Sequence, residues 1–281
     1  MLSRDAVAKR ARKRLDSARV RIRAMNSASK TIVGNLARLR ERIEFAASRA
    51  GRRAEDITLI AVSKTHSARK IQELYEAGVR HFGENRVQER ESKLAHLASL
   101  DATWHMIGHV QKNKAARAVA LFDSIDSVDS IALVEKLNRA KEEFSAEPAK
   151  DLDQKKMGNE PGRLATASRL RVLIEVKLDP EPAKSGAAEK ELPRLVETVL
   201  HMPHLDLQGL MGIPPYFDDP EETRSYFRRL RESRDALRAK MGGELLPAIS
   251  MGMSNDFEIA IEEGATEVRV GTALFGEREE T

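Results

Sequence analysis

The sequence predicts a single-domain α/β protein, a (β/α)8 barrel of the TIM type preceded by a helical N-terminal extension. Three observations favour this fold class. Eight apolar, strand-like runs alternate with segments of helical periodicity, the eight units occupy about 225 residues, and no Gly-x-Gly-x-x-Gly follows the first strand. An open, doubly wound sheet is the alternative, and it accounts less well for a count of eight.

The predicted elements start with an amphipathic helix over residues 30–50, where Ile32, Leu36, Leu39 and Ile43 recur at helical spacing. Runs of β-branched and apolar residues then predict strands that are buried on both faces, as in a parallel sheet. These runs lie near residues 57–64, 79–84, 103–108, 122–128, 170–177, 206–213, 247–252 and 267–273.

The helices between the strands are predicted from capping residues and apolar periodicity. Ser67 is a suitable N-cap for a helix over 68–77, and Gly78 is a suitable residue to end it. The other predicted helices cover 85–100, 112–121, 131–144, 191–201, 220–241 and 256–263. Alternation of strands and helices implies right-handed βαβ units and therefore a parallel sheet.

Composition and charge limit the functional classes. The chain has no cysteine, which excludes disulfides, thiolate metal sites and a cysteine nucleophile, and fits a reducing, cytoplasmic location. No run of eighteen apolar residues predicts a membrane span. Residues 1–30 hold ten Lys/Arg and two acidic residues, whereas the rest of the chain holds 38 bases and 42 acids. We therefore do not expect the barrel, residues 31–281, to bind nucleic acid.

Two segments fall outside the repeating pattern. The basic extension 1–30 has three interpretations: a solvated helical arm, an organelle transit peptide, or a segment that binds nucleic acid or anionic lipid. Segment 145–168 is polar, contains Pro and Gly and has no periodicity, which predicts a disordered insertion before the fifth strand.

The chemistry is expected where the strands end. Lys64 ends the first strand, so its ammonium either extends to water or is kept poorly solvated, with a lowered pKa that frees the amine to add to a carbonyl. Ser254 is expected to cap the helix over 256–263 and to bind phosphate there, although an ordinary N-cap is the alternative. Gly271 and Thr272 follow the last strand and complete the predicted phosphate site.

An amine and a phosphate site at one end of a barrel indicate pyridoxal 5′-phosphate (PLP). Arg269 is expected to point to the same side of its strand as Gly271 and to face the ring, with a solvent-facing ion pair as the alternative. An arginine at the pyridine nitrogen would disfavour its protonation, which suits a carried cofactor or racemase-like chemistry.

Several motifs resemble those of a known family. They are Ala61-Val62-Ser63-Lys64-Thr65, His81-Phe82-Gly83-Glu84-Asn85, Trp104-His105-Met106-Ile107-Gly108, Lys184-Ser185-Gly186, Gly209-Leu210-Met211, Ser250-Met251-Gly252-Met253-Ser254 and Val268-Arg269-Val270-Gly271-Thr272. The sequence resembles the pyridoxal phosphate homeostasis protein family, single-domain PLP-binding barrels of fold type III that are similar to the N-terminal barrel of alanine racemase.

The resemblance implies roles for individual residues. It makes Lys64 the lysine that holds PLP as a Schiff base, and Ser254, Gly271 and Thr272 the phosphate contacts. It also implies that Asn85, Ser250 and Arg269 lie next to the cofactor, and that Lys184 is a second lysine used in PLP transfer. Arg86, His109 and Lys177 depart from the residues usual in the family.

Two functions are compatible with this sequence. The preferred one is a PLP-binding homeostasis protein with neither catalytic residues nor a metal, which delivers PLP to apo enzymes as a monomer or weak dimer. The alternative is a PLP-dependent amino-acid racemase of the alanine racemase type that uses Lys64 with Tyr216 or water. Because racemisation needs two bases and the chain ends soon after the eighth strand, without the additional domain of alanine racemase, we expect the carrier function.

Overall fold

A computed structural model describes residues 31–146, 168–181 and 183–276 of the chain. Eight parallel strands close into a barrel in their order along the sequence, which confirms the predicted fold class. The basic extension 1–30 and most of the predicted insertion lie outside the described residues. Residues 145 and 146, which were predicted to begin the insertion, form the end of a helix instead.

The strands match the predicted runs, with most of them shorter by a few residues. They are β1 (Thr58–Val62), β2 (His81–Glu84), β3 (Thr103–Met106), β4 (Ser124–Val128), β5 (Leu170–Val176), β6 (Leu205–Gly212), β7 (Ala248–Ser250) and β8 (Glu267–Val270). The α-helices of the described part are α1 (Ile32–Arg49), α2 (Ala68–Glu76), α3 (Val87–Leu97), α4 (Ala115–Leu121), α5 (Ile131–Ala146), α6 (Leu192–Leu200), α7 (Arg224–Met241), α8 (Phe257–Glu262) and α9 (Thr272–Phe275).

The predicted signals that start and stop α2 are present in the structure. The Ser67 side chain accepts a hydrogen bond from the backbone N–H of Lys70. Gly78 has a φ of 92°, a left-handed conformation that glycine adopts without a steric penalty. The prediction of this helix is therefore confirmed together with its physical cause.

Helix α1 precedes the first strand and packs against the last units of the barrel. It buries one face, which carries Leu36, Leu39 and Ile43, and contacts α2, α8 and α9. The Arg42 guanidinium forms two hydrogen bonds with the Glu258 carboxylate of α8, at 2.9 and 2.8 Å. The helix thus covers the junction where the first strand closes against the last.

Alternation along the strands decides which side chains fill the barrel. A Cβ added at Gly83 of β2 would lie 3.1 Å from both Ile60 of β1 and Ile107 after β3, so these three positions meet inside the barrel. Because side chains of a strand point to alternating sides, Ile60 and Val62 share the interior face of β1. Lys64 lies two residues beyond Val62 in the same alternation.

Charged and polar side chains occupy part of the interior. His105 lies between two partners, with the His81 ring 3.0 Å from Nε2 and the Asp126 carboxylate 2.9 Å from Nδ1. Arg171 donates to Asp126 at 3.4 Å and also forms an ion pair with Glu267. The barrel therefore encloses charges of both signs that compensate one another, as buried ionic groups require.

The imidazole of His81 is held in its neutral form. It borders a cavity of about 680 Å³ between α1 and the amino-terminal ends of β1 and β2. Burial, together with the positive fields of His105 and Arg171, lowers the pKa of His81 to about 4. Protonation of this side chain is therefore easier in the unfolded chain than in the folded barrel.

We predict that His81 makes the protein less stable in weak acid. Between pH 6.5 and pH 4 the unfolded chain binds more protons than the native state, so the free energy of unfolding falls as the pH falls. Urea denaturation at pH 7.5 and pH 5 measures how far the free energy of unfolding falls between the two pH values. This fall should be about 1 kcal/mol smaller in His81→Gln than in the wild type, a figure that is reduced for the partial exposure of His81. His96→Gln on the exposed side of α3 is the control, and an equal effect in both variants would contradict the prediction.

Candidate functional site

Lys64 lies in the turn that follows β1, at the carboxyl-terminal end of the barrel. Lys64 is half-buried, and an alternation continued two residues past Val62 would put its side chain on the interior side with Ile60 and Val62. A Cβ added at Gly271 would lie 3.5 Å from the Cβ of Val62, so the end of β8 lies directly beside the end of β1. Lys64 and the Gly271–Thr272 segment therefore leave adjacent strands at the same end of the barrel.

Ser254 is brought to the same place by a different contact from the predicted one. The expectation that Ser254 caps the helix over 256–263 is wrong, because α8 starts at Phe257 and Asp256 precedes it as the N-cap residue. The Asp256 carboxylate is buried and accepts a hydrogen bond from the backbone N–H of Met253 at 2.6 Å. A turn stabilised by this carboxylate leaves Ser254 outside the helix.

The hydroxyl of Ser254 instead joins the last two strand ends. It accepts a hydrogen bond from the backbone N–H of Ala273 at 3.2 Å, in the first turn of α9. Thr272, which begins that helix, is exposed, and Gly271 is half-buried. The three residues predicted to contact phosphate are thus close together, through a hydrogen bond between a loop and a helix start that the sequence does not reveal.

Arg269 is fully enclosed in the barrel, so the alternative of a solvent-facing ion pair is wrong. Its guanidinium donates to Ser250 Oγ at 2.8 Å and to the carbonyl oxygen of Gly212 at 2.9 Å. Burial lowers the pKa of Arg269, while the surrounding carboxylates act in the opposite direction. They belong to Asp126, Glu175, Asp256 and Glu267. One guanidinium therefore connects β6, β7 and β8 below the candidate site.

Glu175 is a buried acid that sequence reasoning did not find. Burial and the neighbouring Asp129 carboxylate raise its pKa to about 7, although Arg269 acts to lower it. A glutamate in the largely apolar run of β5 is the signal that could have found it, because an acid in a strand buried on both faces needs a partner inside the barrel.

Asn85 borders a second cavity beside the barrel opening. This cavity of about 690 Å³ is lined by residues 85–89 and Ser92 on one side, and by residues 108–111 with Lys114 and Met106 on the other. A Cβ at Gly108 would lie 2.3 Å from the carbonyl oxygen of Asn85, so the two loops touch through their backbones. The structure thus places Asn85 at the same end as Lys64 but at the edge of a separate pocket.

The loop after β5 carries the two further lysines. Lys177 follows the strand directly, and its backbone N–H donates to the carbonyl of Ala187 at 2.9 Å. Lys184 is exposed and lies 3.6 Å from the carboxylate of Glu181 in the same loop. Both lysines are on loops at the carboxyl-terminal end of the barrel, and Lys184 faces solvent.

Known proteins resemble this chain over most of its length. The model of the family "Alanine racemase, N-terminal domain" matches residues 34–279. The pyridoxal phosphate homeostasis protein of Aquifex aeolicus is 42% identical over 243 residues, which cover 86% of this chain and 96% of that protein. Its counterpart in Pseudomonas aeruginosa is 40% identical over 249 residues, with 89% and 96% covered. The chain belongs to the family of pyridoxal phosphate homeostasis proteins.

Solved structures agree with this assignment. PipY of Synechococcus elongatus PCC7942, whose structure has PLP bound, is 37% identical and covers 88% of this chain and 100% of its own, with a TM-score of 0.71. An alanine racemase of Clostridium difficile 630 is 13% identical with a TM-score of 0.64, and 57% of that chain is covered. The latter shows the fold alone.

Among the residues that the structure describes, no helix combines the length and the apolar composition of a membrane span. Within the same described ranges, no three His, Asp or Glu side chains are grouped so as to hold a metal ion.

We predict that Arg269→Met lowers the free energy of unfolding by about 3–5 kcal/mol, the cost of leaving buried charges without their partner. The variant removes two hydrogen bonds and the buried positive charge that the surrounding carboxylates of Asp126, Glu175, Asp256 and Glu267 compensate. Urea denaturation measures the loss, and Arg139→Met, on the exposed side of α5, is the matched control. A loss below about 1 kcal/mol, the worth of an ordinary surface pair, would contradict the structural role of Arg269.

Proposed function

We propose that the chain binds PLP covalently through Lys64 and serves in intracellular PLP homeostasis, holding and delivering the cofactor without a defined turnover. The observation that carries the proposal is the position of Lys64 in the turn after β1, beside the Gly271–Thr272 segment that follows the neighbouring strand β8. Membership of the family supports it, as does the bound PLP in the related PipY structure.

The phosphate side of the site has the required hydrogen-bonding capacity. Ser254 Oγ accepts from the Ala273 N–H, which leaves its own hydrogen to donate to an anionic oxygen. The Thr272 hydroxyl is exposed next to it. These residues fit a phosphate group, and we assign Ser254, Gly271 and Thr272 to that contact.

The remaining residues suit the ring and the aldehyde. When bound, PLP supplies an aldehyde that reacts with an amine, and Lys64 is the amine at this place. Arg269 uses two of its five N–H groups on Ser250 and Gly212 and stays protonated, so it would oppose protonation of a nearby ring nitrogen. We assign Ser250, Arg269 and Asn85 to the surroundings of the ring.

Delivery needs an accessible site and a recipient. We propose apo PLP-dependent enzymes as partners, a cytoplasmic location, and a monomer or weak dimer as the working form. Lys184, exposed on the loop after β5, is the candidate for receiving PLP during transfer. Its partner Glu181 is at the surface as well, so the ammonium is only weakly retained.

We predict that Lys64→Ala abolishes the absorbance that PLP acquires on covalent attachment to the protein. Lys184→Ala should keep this absorbance, because the exposed Lys184 is not the primary attachment point. Absorbance spectra of both variants, recorded before and after borohydride, show which lysine carries the covalently attached PLP. Retained colour in Lys64→Ala would contradict the assignment of the amine.

We predict that Gly271→Ala weakens PLP binding by about tenfold or more, while the stability of the fold changes by less than about 1 kcal/mol. The added methyl would meet Val62 at 3.5 Å, an ordinary van der Waals contact, but it would crowd a phosphate held at this segment. Affinities for PLP and for pyridoxal, which lacks the phosphate, should be measured in parallel. Equal weakening for both ligands would argue against Gly271 as a phosphate contact.

Amino-acid racemisation is the activity that would displace the carrier function. It requires a second base facing Lys64, and the candidate Tyr216 is 79% exposed in the loop after β6. Chiral analysis of amino acids incubated with the PLP-loaded protein should show no sustained racemisation. Racemisation that is lost in Tyr216→Phe would support the enzyme instead.

A further inference from the structure

The turn that carries Lys64 is held from outside the barrel by a lysine of α3. Lys93 Nζ donates to the backbone carbonyl of Ser63 at 2.8 Å and to Glu84 Oε1 at 2.7 Å. The hydroxyl of Ser63 donates to the same Glu84 oxygen at 2.7 Å. The residue immediately before Lys64 is therefore fixed through both its backbone and its side chain.

Thr65, the residue after Lys64, is held by the same helix. The backbone N–H of Thr65 donates to Glu89 Oε2 at 3.1 Å. Thr65 has a φ of 65°, a left-handed conformation that costs a β-branched residue about 1–2 kcal/mol. Such a conformation persists only when the surrounding structure imposes it.

Stability alone does not account for the Lys93–Glu84 pair. The Glu84 side chain is fully buried and that of Lys93 is 12% exposed, so both charges have lost most of their hydration. The second carboxylate oxygen of Glu84 has no hydrogen-bond partner. A buried pair with an unsatisfied oxygen contributes little net stability compared with apolar packing. Its contact with Ser63 is the feature that calls for an explanation.

We propose that Lys93 is a positioning residue for Lys64. Consecutive residues of an extended chain point to opposite sides, so holding Ser63 against Glu84 and Lys93 outside the barrel would direct the next side chain, that of Lys64, inwards. Lys93 fixes the first half of the turn, and Glu89 holds the strained Thr65 in the second half. The inference rests on the proposed binding of PLP at Lys64 and adds the contacts that orient the Lys64 amine.

The central experiment uses a variant that removes both buried charges together. Lys93→Met combined with Glu84→Gln removes the buried carboxylate together with its cation, so that no unpaired charge remains between α3 and the barrel and the protein should fold. We expect its affinity for PLP to fall on the order of tenfold to a hundredfold, as when the orienting partner of a functional ligand is removed. The fraction of Lys64 modified after borohydride, found by peptide mass mapping, should fall with it. Lys136→Met on the exposed side of α5 is the control for a lost lysine.

A third substitution separates positioning from general damage. Adding Thr65→Gly removes the steric penalty of the left-handed conformation, so the turn can keep its shape without the bonds from Lys93. We expect this change to restore most of the lost affinity and most of the modification at Lys64. A defect caused by loosened packing of α3 would not be corrected by a glycine at position 65.

The outcomes distinguish this inference from the proposed function. Unmodified Lys64 in the wild-type protein would overturn the proposed function. Modified Lys64 in the wild type, with equal PLP affinity in the Lys93→Met, Glu84→Gln variant, would overturn the positioning role only. Failure of Thr65→Gly to restore binding would also overturn it. If the double variant does not fold, Glu89→Ala, which removes the bond to Thr65 and keeps both Lys93 and Glu84, tests the same turn: several-fold weaker binding supports the inference and unchanged binding refutes it.

Discussion

The buried guanidinium of Arg269 is the interaction on which the site end of the barrel depends. It bonds Ser250 and the carbonyl of Gly212, so three strand ends keep their relative positions around one cation. A cation without access to water requires compensating charge, and the interior carboxylates supply it. This requirement accounts for Glu175, whose pKa is about 7, among the buried apolar residues at the end of β5. The loops that we predict to bind phosphate follow β7 and β8, so their positions depend on the same cation.

The sequence predicted the architecture well because each strand of a parallel barrel is a contiguous apolar run with a recognisable helix after it. The capping of α2 by Ser67 and its end at Gly78 were likewise local signals, and the structure confirms them. Lys64, Gly271 and Thr272 could be placed together because the first and last strands of a closed barrel must pair. Local sequence patterns, together with the closure of the barrel, are sufficient to predict these features.

Contacts between distant elements could not be predicted in the same way. The pair of Arg171 and Glu267 joins residues that are 96 positions apart, and it depends on the register of the strands. The hydrogen bond between Ser254 and Ala273 joins the loop after β7 to the first turn of α9. The expected helix cap at Ser254 was wrong because the Asp256 carboxylate stabilises the preceding turn instead. Lys93 showed no signal in the sequence, since a lysine on an amphipathic helix is usually solvated.

The central claim, that Lys64 holds PLP while the last two strand ends hold its phosphate, is tested most directly by a crystal structure of the protein grown with PLP. Continuous electron density should join Lys64 Nζ to the ligand, and the phosphate should contact Ser254 and the Gly271–Thr272 segment. Ligand density found only in the cavity lined by residues 85–89 and 108–111, with no bond to Lys64, would contradict the account.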